Sequence, residues 1–145
     1  MSERVILLVE DEPDDEVLIV RALKKNDLVN TVIAARDGVE AIDYLFGTGT
    51  FAGRDVGRPP GLILLDLKLP KLHGIEVLRR LRADERTKRA PVVVLTLSEE
   101  QEDLFQSYDL GANSYIRKPL DADQFMEVMR QLASYWLVLN EPPPA

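Results

Sequence analysis

Asp66 follows four uninterrupted apolar residues, Leu62-Ile63-Leu64-Leu65, and precedes Leu67-Lys68-Leu69-Pro70. A run that short, bounded by Pro59-Pro60-Gly61 and Pro70, fits a strand buried on both faces of a parallel sheet. The acid then stands at the strand's carboxyl end, the edge at which ligands bind in open α/β sheets. A carboxylate in that position can serve as a nucleophile, because carboxylates form aspartyl phosphates. Val5-Ile6-Leu7-Leu8-Val9 is a second such run, and it ends in Glu10 and Asp11. Asp11 and Asp66, with Glu10 acting through water, offer hard oxygen ligands that suit Mg²⁺. Thr96, at the end of Val92-Val93-Val94-Leu95, and Lys118, after Ser114-Tyr115-Ile116, are donors of the kind that bind a phosphoryl group. A buried Lys-Asp pair alone is weak evidence of chemistry. Three acids, one lysine and one hydroxyl at a single sheet edge are a stronger signal.

From Glu10 to Glu16 every residue except Pro13 is acidic, a density that costs repulsion unless something positive sits among the carboxylates. A solvated loop in which Asp14 or Asp15 caps a helix accounts for the outer acids. It does not account for Glu10 and Asp11, which lie nearest the strand end.

The elements that must position these groups alternate along the chain. After the first strand, Ile19, Ala22 and Leu23 fall at helical spacing between Glu16 and Asn26. Thr31 to Ala35 reads as a strand, Asp37-Gly38 as a turn, and Ala41, Ile42 and Leu45 as the buried face of a second helix. Gly47 to Gly61 is a glycine-rich loop, either disordered or a contact surface for a partner. Val77, Leu78 and Leu81 mark a third helix, Val92 to Thr96 a fourth strand, and Glu99 to Leu110 a helix with Phe105 and Tyr108 one turn apart. Ser114 to Ile116 is a short strand. The last helix, Asp121 to about Asn140, buries Phe125, Val128 or Met129, Leu132 and Trp136. Strand and helix thus alternate five times, which predicts an α/β fold: a doubly wound, five-stranded parallel sheet in three α/β/α layers. Residues 1–140 form one domain, and 141–145 are expected to be a disordered Pro-rich tail.

Composition excludes several classes of function. A chain of 145 residues can bury about 70% of the surface its unfolded form exposes, so it needs no covalent staples. It has no cysteine, hence neither disulfides nor a thiolate metal site. A formal charge of -7 argues against nucleic-acid binding. Val5 to Val9 is too short for a signal-peptide core or a bilayer span, and a cytoplasmic protein with no membrane contact is expected. No Gly-rich loop with a Lys-Ser/Thr pair is present, which excludes a P-loop enzyme. Glu10-Asp11-Glu12 would repel a flavin phosphate. A haloacid-dehalogenase-type phosphatase needs a second Asp two residues past its nucleophile, where this chain has Lys68.

Val9-Glu10-Asp11, Asp66 with Pro70 and Gly74, Thr96, Tyr115 and Lys118-Pro119 together resemble the receiver domain of two-component response regulators, a flavodoxin-like fold. The likeness runs from about Val5 to Leu139. Within that family, the long loop before Pro59, Leu95-Thr96-Leu97-Ser98, Phe105 to Leu110 and Tyr135-Trp136-Leu137 are similar to single-domain regulators that partner bacterial and cyanobacterial phytochromes. The resemblance implies a stand-alone response regulator in which Asp66 is phosphorylated by a sensor histidine kinase. It implies Mg²⁺ held by Asp11, Asp66 and the Lys68 carbonyl, with Glu10 ordering a coordinated water. Lys118 and Thr96 would bind the phosphoryl oxygens, and the peptide before Pro119 would be cis. Thr96 and Tyr115 would form the switch that alters the surface of the fourth helix, fifth strand and fifth helix. Such a chain is a phosphoacceptor signalling protein rather than an enzyme, catalysing only its own phosphotransfer and dephosphorylation.

Some positions depart from the common receiver pattern. Leu97 follows Thr96 where most receivers carry a small residue, which predicts restricted access to Asp66 and slow autodephosphorylation. The Lys68 side chain is expected to pair with Glu10 or Glu12, and His73 to be a solvated loop residue. Tyr135, Trp136, Leu137 and Leu139 put apolar residues on more than one helix face, which predicts a homodimer through the last helix. A pseudo-receiver, an interaction module that keeps the fold without being phosphorylated, stands as the alternative.

Overall fold

The computed structural model describes residues 5–29, 31–118 and 121–144. Five strands alternate with five helices: β1 (Val5–Val9), α1 (Pro13–Lys24), β2 (Thr31–Ala35), α2 (Gly38–Phe46), β3 (Leu62–Leu65), α3 (Gly74–Ala83), β4 (Val92–Thr96), α4 (Gln101–Asp109), β5 (Ser114–Arg117) and α5 (Ala122–Ser134). All neighbouring strands are parallel, in the order β2-β1-β3-β4-β5. The chain therefore winds one way from β1 to β2 and the other way from β3 onward. The reversal leaves a crevice between the carboxyl ends of β1 and β3.

Period-two alternation sorts the strand side chains into two cores. Leu7, Val9, Ile63, Leu65, Val92 and Val94 face α2 and α3, packing on Ala41, Leu45, Val77, Leu78 and Leu81. Ile6, Leu8, Leu62, Leu64, Val93 and Leu95 face α1 and α5, packing on Ile19, Leu23, Phe125 and Met129. Met129, rather than Val128, fills the α5 position left open by periodicity. Because both faces are covered, β3 is buried at every residue, which explains its unbroken apolar run.

Local chemistry sets the helix ends. Pro13 occupies the first turn of α1, and the side chain of Glu12, not Asp14 or Asp15, accepts from the Asp14 amide. A proline needs no amide partner at that position, so the helix starts earlier than its apolar stripe indicates. His73 caps α3, its Nδ1 accepting from the Ile75 amide at 3.1 Å, so it is exposed but not a free loop residue. At Gly74 a Cβ would collide with the Asp66 carbonyl oxygen and the Leu67 backbone, so only glycine lets α3 start against the end of β3.

The Gly47–Gly61 segment is mostly exposed but is anchored to α2. A 3₁₀ turn at Gly49–Phe51 carries Phe51 edge-on to Tyr44, and the Arg54 guanidinium lies 4.1 Å over the Tyr44 ring. Arg54 also donates to the carbonyls of Tyr44 (2.6 Å) and Leu45 (3.2 Å) in the last turn of α2, where carbonyls run out of intrahelical donors. On α4 the periodicity misleads: Phe105 and Tyr108 point outward, and the buried positions are Asp103 and Ser107. After α5 the chain makes one π turn, Tyr135–Leu139, which turns Trp136 and Leu137 partly into the α1/α5 core and leaves Tyr135, Val138 and Leu139 exposed. Residues 141–144 are exposed and without regular structure.

Candidate functional site

The backbone brings the reactive groups together. The Asp66 amide donates to the Val9 carbonyl at 3.0 Å, setting the end of β3 beside Glu10 and Asp11. The Lys118 amide donates to the Thr96 carbonyl at 2.8 Å, setting Lys118 just past β5 beside the end of β4. Carboxylate oxygens of Glu10, Asp11 and Asp66 all lie within 4.8 Å of one another. Glu10, Asp66, Thr96 and Lys118 are buried, while Asp11 is exposed at the mouth. Lys118 Nζ contacts Glu10 Oε1 at 2.7 Å, Asp15 Oδ2 at 2.8 Å and Asp66 Oδ2 at 3.3 Å. Its three ammonium hydrogens thus meet three different carboxylates.

One ammonium does not balance this cluster. Burial, with the nearby Asp66 charge, pushes the Glu10 carboxyl up to about 7 even though Lys118 pulls it down. Burial also acts to lower Lys118, but its bonds to Asp15 and Glu10 and the Asp66 charge outweigh it and hold the ammonium above its ordinary range. A set of hard oxygens in which one carboxyl is driven toward its neutral form is the donor set a small divalent cation fits: the ion supplies the missing positive charge. Asp11 and Asp66 would hold it, with Glu10 beside them.

A second network borders the first. The Lys68 amide donates to Asp66 Oδ1 at 3.3 Å. The Lys68 side chain does not reach Glu10 or Glu12; its ammonium pairs with Asp103 (3.3 Å) and Glu100 (3.5 Å) at the start of α4. Lys118 already fills the space beside Glu10, and α4 presents the buried Asp103 carboxylate, with which no other cation is paired among the described residues. The Ser98 hydroxyl donates to Asp103 Oδ2 at 2.6 Å, and the Ser98 amide donates to Thr96 Oγ1 at 3.3 Å. Burial acts to raise Asp103, but Ser98 and Lys68 outweigh it and leave its carboxyl below the ordinary value. The Tyr115 hydroxyl donates to the Ser98 carbonyl at 3.4 Å, half-buried beside the same loop.

Glu10, Asp11, Asp66, Thr96 and Lys118 therefore converge as their positions at strand ends predict. Pro119 lies outside the described residues, so the cis peptide belongs to the expectations alone. Asp15 is a site residue that sequence reasoning assigned to helix capping. The signal for it was Pro13: a helix begun there places Asp15 in its first turn, within reach of the crevice. Asp103 gave no signal, being one acid among Glu99, Glu100, Glu102 and Asp103. Leu97 is exposed rather than packed into the crevice floor.

Residues 6–130 match the response regulator receiver domain family. The chain is 39% identical over 139 residues to the probable methanogenesis regulatory protein FilR2 of Methanothrix harundinacea, covering 96% of this chain and 87% of that one. It is 38% identical over 142 residues to the response regulator Rcp1 of Synechocystis sp., covering 98% and 95%. The crystal structure of the Mn²⁺-bound form of Rcp1 superposes with a TM-score of 0.87 at 37% identity, covering 97% of this chain and 99% of that one. The crystal structure of the phosphorylated cyanobacterial phytochrome response regulator RcpA superposes with a TM-score of 0.90 at 40% identity, covering 99% of this chain and 100% of that one.

Proposed function

Since the chain belongs to the response regulator receiver family, we propose that it is a stand-alone response regulator whose Asp66 accepts a phosphoryl group from a sensor histidine kinase. The observation that carries the reading is Asp66 itself: a strand-end carboxylate with Lys118 Nζ at 3.3 Å and the carboxylates of Glu10 and Asp11 within 4.8 Å. A carboxylate oxygen of Asp66 attacks the phosphorus while the bond to the kinase histidine breaks, its electron pair returning to the imidazole nitrogen. Asp11, Asp66 and the Lys68 carbonyl would hold Mg²⁺, with Glu10 placed to order a coordinated water, and the ion would supply positive charge beside the transferring group. Lys118 holds a phosphoryl oxygen as a point charge, and the Thr96 hydroxyl adds a directed bond. Asp66 lies in a crevice that Gly74 allows α3 to close from one side, so positioning supplies much of the effect.

A phytochrome-type kinase is the proposed donor, which makes the chain part of a light-signalling pair. Likeness to RcpA and Rcp1 over nearly their whole lengths supports this. The output is a changed α4-β5-α5 surface, with Thr96 and Tyr115 as the moving pair, and a homodimer through Tyr135, Trp136, Leu137 and Leu139. Tyr135 and Leu139 are exposed, whereas Trp136 and Leu137 lend only their uncovered edges. No helix among the described residues is long and apolar enough to cross a membrane, and the reading places the protein in the cytoplasm.

Intact mass after incubation with Mg²⁺ and acetyl phosphate tests the reading. A gain of one phosphoryl mass that disappears in Asp66→Asn and in chelator is expected. No gain, from acetyl phosphate or from a phytochrome kinase, would refute it and leave the pseudo-receiver. A sedimentation profile that stays monomeric at tens of micromolar would refute the dimer.

A further inference from the structure

Asp103 is a buried carboxylate with no part in the phosphoryl site, yet the loops that follow β3 and β4 both reach it. Lys68 stands two residues past Asp66, and its amide already touches Asp66 Oδ1. Ser98 stands two residues past Thr96, and its amide touches Thr96 Oγ1. The ammonium of the first and the hydroxyl of the second converge on the same oxygen, Asp103 Oδ2, at 3.3 and 2.6 Å. Asp103 is in turn fixed in α4, where its carbonyl accepts from the buried Ser107 hydroxyl at 2.7 Å. Ser98 Oγ also accepts from the Glu100 amide at 3.3 Å, so the same hydroxyl holds the residue that leads into α4.

We infer that Asp103 is a positioning residue that ties α4 to both loops of the site, and that phosphorylation of Asp66 loosens the tie and so frees the start of α4. The inference rests on the phosphoacceptor reading above. Its physical basis is competition. A phosphoryl group replaces one carboxylate charge with up to two charges and adds acceptor oxygens. It draws the Lys68 ammonium, now shared between Asp103 and Glu100, and it draws the Thr96 hydroxyl. Each pull acts on one of the two groups bound to Asp103 Oδ2. A hydrogen bond weakens steeply once its donor is turned out of line with the acceptor, so small rotations of the loops suffice. This route to α4 runs through Lys68 and Ser98, and it meets Tyr115 at Ser98, whose carbonyl accepts from the Tyr115 hydroxyl.

Amide hydrogen exchange read on the α4 segment, in samples whose phosphorylation is measured by intact mass, tests the inference. In the wild type, phosphorylation should speed exchange in the first turns of α4 about tenfold, the loss of one charge-assisted bond. Asp103→Asn should still gain one phosphoryl mass, should exchange fast there before phosphorylation, and should show little further increase after it. Ser98→Ala removes one of the two ties without changing charge and should behave in the same way, with a smaller effect; it carries the test if Asp103→Asn does not fold. A wild type that takes up the phosphoryl group with no change in α4 exchange would overturn the inference. So would either variant showing the full wild-type increase. A wild type that takes up no phosphoryl group overturns the functional reading itself, and the inference with it.

Discussion

Lys118→Met should be the most destabilising single change in the site, and the deficit should be one that a divalent cation repairs. Lys118 is almost wholly buried, and its ammonium is the only positive group bonded to Glu10, Asp15 and Asp66 among the described residues. Methionine keeps much of the volume and removes the charge, so packing changes little. What remains is a set of carboxylates at close range, of which Glu10 and Asp66 are buried. Removing one partner of a buried ion pair costs about 3–5 kcal/mol. That is a large share of the roughly 5–15 kcal/mol that a domain has. Two further effects follow from the same charges. Glu10→Gln in the Lys118→Met background should recover part of the loss, because it removes one of the uncompensated charges. Mg²⁺ at about a hundred times its dissociation constant stabilises the native state by about 2.7 kcal/mol, and it should do so at lower concentration in the variant than in the wild type. Urea unfolding in chelator and in graded Mg²⁺ measures all three. A loss below about 1 kcal/mol in chelator, the range of a surface ion pair, would refute the reasoning that Lys118 is the compensating charge.

Gly74→Ala should cost about 1–3 kcal/mol and slow phosphorylation, because its Cβ would displace the Asp66 carbonyl against which α3 is set; urea unfolding and phosphorylation rate report the two effects. Leu97→Ala should shorten the phosphoryl half-life, since Leu97 stands exposed next to Thr96 at the rim; a half-life equal to the wild type would remove Leu97 from the account. The Asp103 carboxyl, held low in the folded state, adds stability that is complete above its unfolded value of about 4 and is lost as the pH falls through its folded value. The stability gap between wild type and Asp103→Asn should therefore be widest near neutral pH and shrink below about pH 4 in urea unfolding curves.

What the residues disclosed without a structure was the set of elements and the list of groups at their ends. Val5–Val9, Leu62–Leu65 and Val92–Thr96 are short apolar runs that stop at a polar residue, and a strand buried on both faces has no other way to be written. A polar residue at the close of such a run must stand where the sheet meets its loops, which locates Glu10, Asp66 and Thr96 from the sequence alone. Helix faces were equally legible where apolar residues recur at helical spacing, as at Val77, Leu78 and Leu81. Legibility failed on α4, whose buried face is Asp103 and Ser107. Polar residues that satisfy one another inside look like surface to any reading of hydropathy. It failed again at Arg54, whose carbonyl partners near the end of α2 lie about ten residues back with no spacing rule to mark them.

Only the folded chain decided who meets whom. Lys118 reaches Glu10 across 108 residues and Asp66 across 52, and those meetings depend on the strand order β2-β1-β3-β4-β5. Nothing in local periodicity encodes that order, because each buried strand would be written the same way at any interior place in the sheet. The assignment of Lys68 to Asp103 instead of Glu10 has the same origin. A lysine beside several acids pairs with the one whose surroundings leave its charge unclaimed, and that is settled by the neighbours brought in from other parts of the chain. The sequence by itself determined that acids, a hydroxyl and a lysine would share one edge of a parallel sheet. The tertiary structure determined how their charges are divided among them, since electrostatic energy depends on distance and burial and neither is written along the chain.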